Sequence, residues 1–121
     1  MTKSKRRIGY RAEIFAWLWM ILRGYKPLFR NYTVKGGEID LIMKKGDYLV
    51  FTEVKARKKN SQVSPLEAVT NQKQKRIKHA ATCFISSGKA DVGELQPRFD
   101  VICIQIGIFG FKVTDYIENA F

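Results

Sequence analysis

From Ile14 to Leu22 the chain runs through nine uncharged, mostly large apolar residues, with Glu13 at one end and Arg23 at the other. Such a broad apolar surface predicts a buried helix over about residues 7–23, covered on more than one side. Gly24 suits the left-handed position just past its end. Residues 25–34 read as a strand with Pro27 near its start, and Lys35-Gly36-Gly37 as a turn. Alternation of period two follows through residues 38–43 and 48–55, joined by Lys44-Lys45-Gly46-Asp47, which marks a β-hairpin. Further on, Ser64-Pro65-Leu66-Glu67 is a helix-start signal: Ser64 can cap, Pro65 fits the first position and Glu67 can close a capping box. That helix is expected to reach about Ser87 and stop at Gly88, burying Ile77, Ala80, Ala81, Phe84 and Ile85. Residues 98–106 and 111–116 complete the pattern as strands. The order helix, three strands, helix, two strands predicts an α/β domain with a single mixed β-sheet flanked by helices. It spans residues 1–121, with residues 1–6 a flexible basic arm.

The hairpin carries an unusual set of side chains. A four-residue connection would place Met43 opposite Tyr48, Glu38 opposite Glu53 and Asp40 opposite Phe51. Alternation then sends Glu38, Asp40, Glu53 and Lys55 to one face, and Ile39, Leu41, Met43, Val50 and Val54 to the other. The second set is a core face. The first sets like charges against each other, which destabilises a sheet by a few tenths to ~1 kcal/mol. Diagonal neighbours such as Asp40 and Glu53 lie ~7–8 Å apart, close enough to share one hard cation. Lys55 offsets one negative charge and leaves the others for a divalent metal. A solvated polar strand face is the simpler alternative. Leu49 and Phe51 on the same side, and Glu13 at the head of the apolar helix, argue against it, because a carboxylate there needs a partner or a proton.

Charge widens the question. The 121 residues hold 22 Lys and Arg against 11 Asp and Glu, a formal net charge of +11. That excess draws polyanions, either nucleic acid or an anionic membrane face. Arg57, Lys58 and Lys59 follow the acidic hairpin directly. Gln72, Arg76 and His79 recur at helical spacing with Lys73, Lys75 and Lys78 alongside. These residues suit phosphate contacts, which position a nucleic acid without reading its sequence. His79 has no second histidine and reads as a surface residue. Asp100 can pair with Arg98 to hold a strand end, the preferred role, or orient a site residue. Cys83 and Cys103 lack metal-ligand spacing and suit a reducing compartment. The basic start followed by an apolar run mimics a signal peptide. Residues 14–22 are too few to span a bilayer, and no small-residue cleavage site follows. The expectation is a cytoplasmic protein.

At "GEIDLI" (37–42) and "FTEVKAR" (51–57) the sequence resembles the YraN-like family of small bacterial proteins. That family is similar to the PD-(D/E)XK nuclease superfamily and to Holliday-junction resolvases. Asp40, twelve intervening residues and Glu53-Val54-Lys55 fit the superfamily pattern. Gly9, Glu13-Ile14-Phe15-Ala16, "RFDVI" at 98–102 and the terminal "NAF" extend the resemblance over nearly the whole chain. Ile39 stands where the superfamily has proline, and "QVSP" lacks an aromatic-glycine pair associated with the family. The resemblance implies a restriction-endonuclease-like core and a metal-dependent endonuclease acting on DNA rather than RNA, with branched or structured DNA as a candidate substrate. It implies Mg²⁺ or Mn²⁺ held by Asp40, Glu53 and the Val54 carbonyl, with Glu13 completing the shell through water. Lys55 would orient the attacking water or stabilise developing charge. Glu38 would stand behind the ligands or pair with arginine at the rim. A homodimer is the assembly such an enzyme suggests. The alternatives are a nucleic-acid-binding protein that keeps the nuclease fold without cutting, and a basic protein at a membrane surface.

Overall fold

Ala12, Ala16 and Met20, four residues apart, are fully buried along one stripe of the first helix, α1 (Lys3–Leu22). In the computed structural model, which describes residues 3–59 and 69–121, this stripe lies on a five-stranded sheet. The strands are β1 (Lys26–Val34), β2 (Gly37–Lys45), β3 (Tyr48–Lys58), β4 (Gln96–Gly107) and β5 (Gly110–Ile117), and they lie in that order. Only β3 and β4 run parallel, joined through the second helix, α2 (Asn71–Ser87); the other neighbours are antiparallel. The predicted element order and mixed sheet are both present. Two cores result, one per face. Leu41, Met43, Val50, Ile102 and Ile104 meet α1, while Ile42, Leu49, Phe51, Val101 and Cys103 meet Ile77, Ala80, Ala81 and Phe84 of α2.

Several boundaries differ from expectation. Helix α1 starts at Lys3, so residues 3–6, expected in a flexible arm, have helical backbone. Its apolar surface is not covered all round: Leu18 and Leu22 are exposed, Leu22 at 84%. Gly24, at φ 90, ends the helix as expected, and the Lys45 ammonium donates to the Arg23 carbonyl at 2.7 Å, a cation on the negative end of the helix dipole. Helix α2 starts at Asn71, because Thr70 takes extended torsions and its hydroxyl accepts from Lys73 N–H at 3.2 Å. Val69 and Thr70 are not helical. The Ser64, Pro65 and Glu67 start signal lies outside the described residues. Gly88, at φ 69, closes the helix where expected. No described helix is long and apolar enough to cross a membrane.

The hairpin register shifts by two residues. Lys45 pairs with Tyr48 and Met43 with Val50, so Gly46-Asp47 alone forms the turn, with Gly46 at φ 56. The expected pairs Met43–Tyr48, Glu38–Glu53 and Asp40–Phe51 are therefore not formed. A shift of two leaves every side chain on its expected face of the hairpin, with one exception. Ile39 joins the α2-side core, while Leu41 and Met43 lie under α1. The alternation breaks beside Asn31, which holds the left-handed φ of 52 that asparagine tolerates better than most residues. Phe29 and Tyr32, three residues apart, accordingly both pack on Phe84.

Gly37 opens β2 directly under α2. An added Cβ would collide with the Arg76 carbonyl oxygen and stand 3.1 Å from both N and Cβ of Ala80. Gly37→Ala must lift the helix, at roughly 1–3 kcal/mol, so thermal denaturation is expected to show Tm lower by ~5 °C or more. An unchanged Tm would mean that α2 can move off the sheet freely.

Candidate functional site

Pairing between β2 and β3 ends at Leu41 and Thr52. Beyond it the strands part, and Asp40 occupies the gap. Its Oδ2 accepts the Val54 N–H at 2.8 Å, doing the work of a missing strand carbonyl. Glu53 and Lys55 pair along β4 with Val101 and Cys103, members of the α2-side core, so both point to that side. Glu13 comes from α1. Asp40 lies against both glutamates, so the split brings together carboxyls from the two layers.

Crowding changes their chemistry. Glu53 is 5% exposed; burial first, then Asp40, pushes its carboxyl up to about 9, while Lys73 and Lys55 oppose the rise. Glu13 is pushed up to about 7, again by burial and then by Asp40, against the pull of Asn31 and Arg30. With its nitrogen turned toward Glu13, the Asn31 amide donates to both carboxyl oxygens at 3.1 Å. Glu53 Oε2 is buried and has no hydrogen-bond partner. Among the described residues no group of three or more His, Cys, Asp or Glu side chains stands arranged around a metal position; the carboxyls meet in pairs through Asp40.

Lys73 is the cation closest to this group. Its Nζ stands 2.8 Å from Glu38 Oε1 and 3.5 Å from Glu53 Oε2. Arg76 reaches Glu38 at 3.7 Å. Glu38 is thus a rim acid paired with two cations, and its proton affinity is lowered chiefly by the Lys73 hydrogen bond. Sequence reasoning placed Lys73 only in a basic row and passed over Asn31. A signal existed for Lys73: it precedes buried Ile77 by one helical turn and must share its sheet-facing side. None existed for Asn31, whose role depends on a local twist.

The expected nucleic-acid contacts separate into groups. Arg76 lies at the rim of the acids. Gln72 is exposed beside it. Lys75, two residues or roughly 200° round the helix from Lys73, is exposed on the far side and does not join the site. Arg57 and Lys58 lie four and five residues beyond Glu53, roughly 13 and 17 Å along the strand. His79 is a surface residue as expected; its Nε2 meets the Lys35 carbonyl at 3.1 Å, tying α2 to the β1–β2 turn.

Asp100 stands apart. Fully buried, it accepts from Arg98 Nε and Nη2 at 3.0 and 2.8 Å, from the Tyr116 hydroxyl at 2.6 Å and from the Asn119 N–H at 3.0 Å. Arg98 Nη2 also donates to the Tyr25 hydroxyl at 3.1 Å. The expected pairing of Asp100 with Arg98 is present, and these partners tie β4 to β5 and to the residue before β1.

The geometry predicts a pH dependence for the metal-free protein. Glu13 and Glu53 keep protons in the fold that the unfolded chain releases near 4.5, so folding binds protons. Their contribution is fully present below about 4.5 and is lost as pH rises through about 7 and about 9. Tm without metal should fall across that window, and Glu53→Gln should flatten the fall. An equally steep profile in Glu53→Gln would place the titration elsewhere.

A family model described as "Uncharacterised protein family UPF0102" matches residues 12–104, which include Glu13, the split and Asp100. A UPF0102 protein of Mesorhizobium japonicum is 39% identical over 119 residues, covering 98% of this chain and 89% of its own. One of Saccharophagus degradans is 42% identical over 113 residues, 93% of this chain and 91% of its own. One of Dictyoglomus turgidum is 37% identical over 119 residues, 98% and 99% respectively. The chain belongs to the UPF0102 family, the YraN-like family that its hairpin motifs resemble.

Proposed function

We propose that the split between β2 and β3 is the centre of a metal-dependent endonuclease acting on DNA. The observation that carries this reading is the meeting of Asp40 and Glu53, with a buried Glu53 oxygen that accepts no hydrogen bond and stands 3.5 Å from the Lys73 ammonium. A buried oxygen without a hydrogen bond is costly, and an all-oxygen donor set suits Mg²⁺ or Mn²⁺. Asp40, Glu53 and the Val54 carbonyl would hold the ion, with Glu13 reaching it through water. When bound, such an ion lowers the pKa of water and stabilises charge on a phosphoryl group.

The protein's own residues do the rest. Lys55 favours the ionised form of Glu53 through its charge and would orient a water beside the phosphate. Asp40 bridges the parted strands by accepting the Val54 N–H, which fixes the position of its carboxylate. Arg76, Gln72, Arg57 and Lys58 would seat phosphates on either side. Cutting both strands of a branched duplex calls for two sites, so a homodimer is the assembly proposed. A cytoplasmic location follows from the same reading, because DNA is the substrate.

A second reading is favoured by Lys73. Its ammonium already lies between Glu38 and Glu53, and an internal cation can replace a metal in a protein that binds nucleic acid without cutting it. Incubation with linear, forked and four-way DNA in Mg²⁺ and in Mn²⁺ separates the two. Nicking that disappears with chelator supports the nuclease. Salt-sensitive binding without nicking, and no metal uptake by calorimetry, supports the binding protein.

A further inference from the structure

The β4–β5 hairpin ends in a turn made of Ile108 and Phe109, which are 96% and 102% exposed. Turn positions usually carry Gly, Asn, Asp or Ser, each for a conformational reason. Neither residue here has a positive φ, and Gly110 at φ 128 supplies the unusual torsion. Backbone geometry therefore does not call for two large apolar side chains, and nothing in the described fold packs on them.

Their surroundings are basic. On one side lies a groove of about 610 Å³ between the tip and Lys58, Lys59 and Gln105. On the other lies one of about 260 Å³ that includes Lys112. Among the described residues neither lining contains a carboxylate. The position is also ordered relative to the acids. Lys58 pairs with Ile106 and stands five residues beyond Glu53 on the same strand, roughly 17 Å at ~3.3 Å per residue. Ile108 lies seven residues beyond Val101, the β4 partner of Glu53, roughly 23 Å along the strand. Stacked nucleotides advance ~3.4 Å each along one strand, so the tip lies about seven nucleotides from the split.

We propose that Ile108 and Phe109, with Lys58 and Lys59, form a second nucleic-acid contact that takes an unpaired base. Phe109 offers its ring to the face of the base, Ile108 wedges beside it, and the lysines hold the flanking phosphates. An aromatic face accepts any base, so the contact recognises an interruption of the duplex rather than a sequence. Apolar side chains between bases serve this purpose in proteins that kink or open duplexes. The inference rests on the nucleic-acid reading above and adds to it a preference for forked or branched over continuous DNA.

The test measures binding in chelator, so that it does not depend on cutting. Full-length protein is titrated against dye-labelled forked DNA and against a blunt duplex of equal length, with 2-aminopurine at the fork's first unpaired position. Ile108→Ser/Phe109→Ser is expected to weaken fork binding about tenfold or more, to leave duplex binding nearly unchanged and to abolish the 2-aminopurine signal. Phe109→Trp is expected to keep all three. Both positions are solvent-exposed, and an unchanged Tm checks the fold. Equal loss on fork and duplex, or no loss on either, overturns the proposal. So does a dimer in sedimentation that the serine variant makes monomeric, since the tip would then cover a second copy. Loss of pelleting with anionic vesicles, with fork binding intact, overturns it in favour of a membrane. A protein that discriminates forks through Phe109 but never nicks DNA would sink the nuclease and leave this contact standing.

Discussion

Asp40→Asn is expected to lower DNA cutting by about 10²-fold or more while making the metal-free protein more stable. On the proposed function the loss follows from removing a charged ligand, which would withdraw several kcal/mol of charge stabilisation from the metal and the transition state. The gain follows from the same charge. Asp40 raises the proton affinity of both Glu13 and Glu53, so a neutral side chain lets them ionise at lower pH and relieves the repulsion. An asparagine oxygen can still accept the Val54 N–H that Asp40 Oδ2 holds at 2.8 Å, so the strand split survives. Tm measured near pH 8 in chelator should rise, and calorimetry should lose Mn²⁺ binding. The opposite signs are the diagnostic feature. A purely structural aspartate would lose stability on substitution, and a solvated one would change neither quantity. If Asp40→Asn cuts like the unsubstituted protein, the acids of the split are not the catalytic centre. On the proposed function, a site that stores repulsion in its metal-free form gives up stability for function, and this substitution would expose that exchange at one residue.

The acids could be read from sequence because the information needed was parity, and parity is robust. The predicted hairpin register was wrong by two residues, yet a strand repeats its faces every two residues, so Glu53 and Lys55 kept a common face, with Asp40 reaching Val54 and Glu53 from the split. Parity fails where the backbone leaves the pleat. Asn31 does so at φ 52, and the side change at Ile39 and the Asn31–Glu13 contact both lie there. No composition or spacing rule anticipates a single left-handed residue. Helix rotation was the second gap. A basic row on α2 looks uniform in sequence, but Ile77, Ala80, Ala81 and Phe84 fix which side faces the sheet. That rotation brings Lys73 and Arg76 to the acids and turns Lys75 away. The start of α2 was misplaced because Ser64-Pro65-Leu66-Glu67 is a strong local signal, while Thr70 caps with a hydroxyl and no acidic partner.

Asp100→Ala is expected to cause the largest loss of stability of any substitution discussed. The Arg98 guanidinium is nearly buried beside a fully buried carboxylate. Removing the acid strands that cation. Glu118, at 3.9 Å and exposed, is too distant and too well solvated to take its place. The Tyr116 hydroxyl and the Asn119 N–H lose their acceptor in the same step. Breaking one partner of a buried ion pair costs about 3–5 kcal/mol, against a total of about 5–15 kcal/mol for a typical domain. Tm should therefore fall by roughly 10 °C or more. Removing both charges tells a different story. Arg98→Met with Asp100→Leu leaves no stranded ion, so the double variant should be more stable than Asp100→Ala. The network also contains none of Glu13, Asp40 or Glu53. A folded Asp100→Ala, held well below its Tm, should bind Mn²⁺ as tightly as the unsubstituted protein. Metal affinity reduced tenfold with Tm barely changed would assign Asp100 the orienting role instead, and would mean that the split is positioned from β4 as well as from the strands that form it.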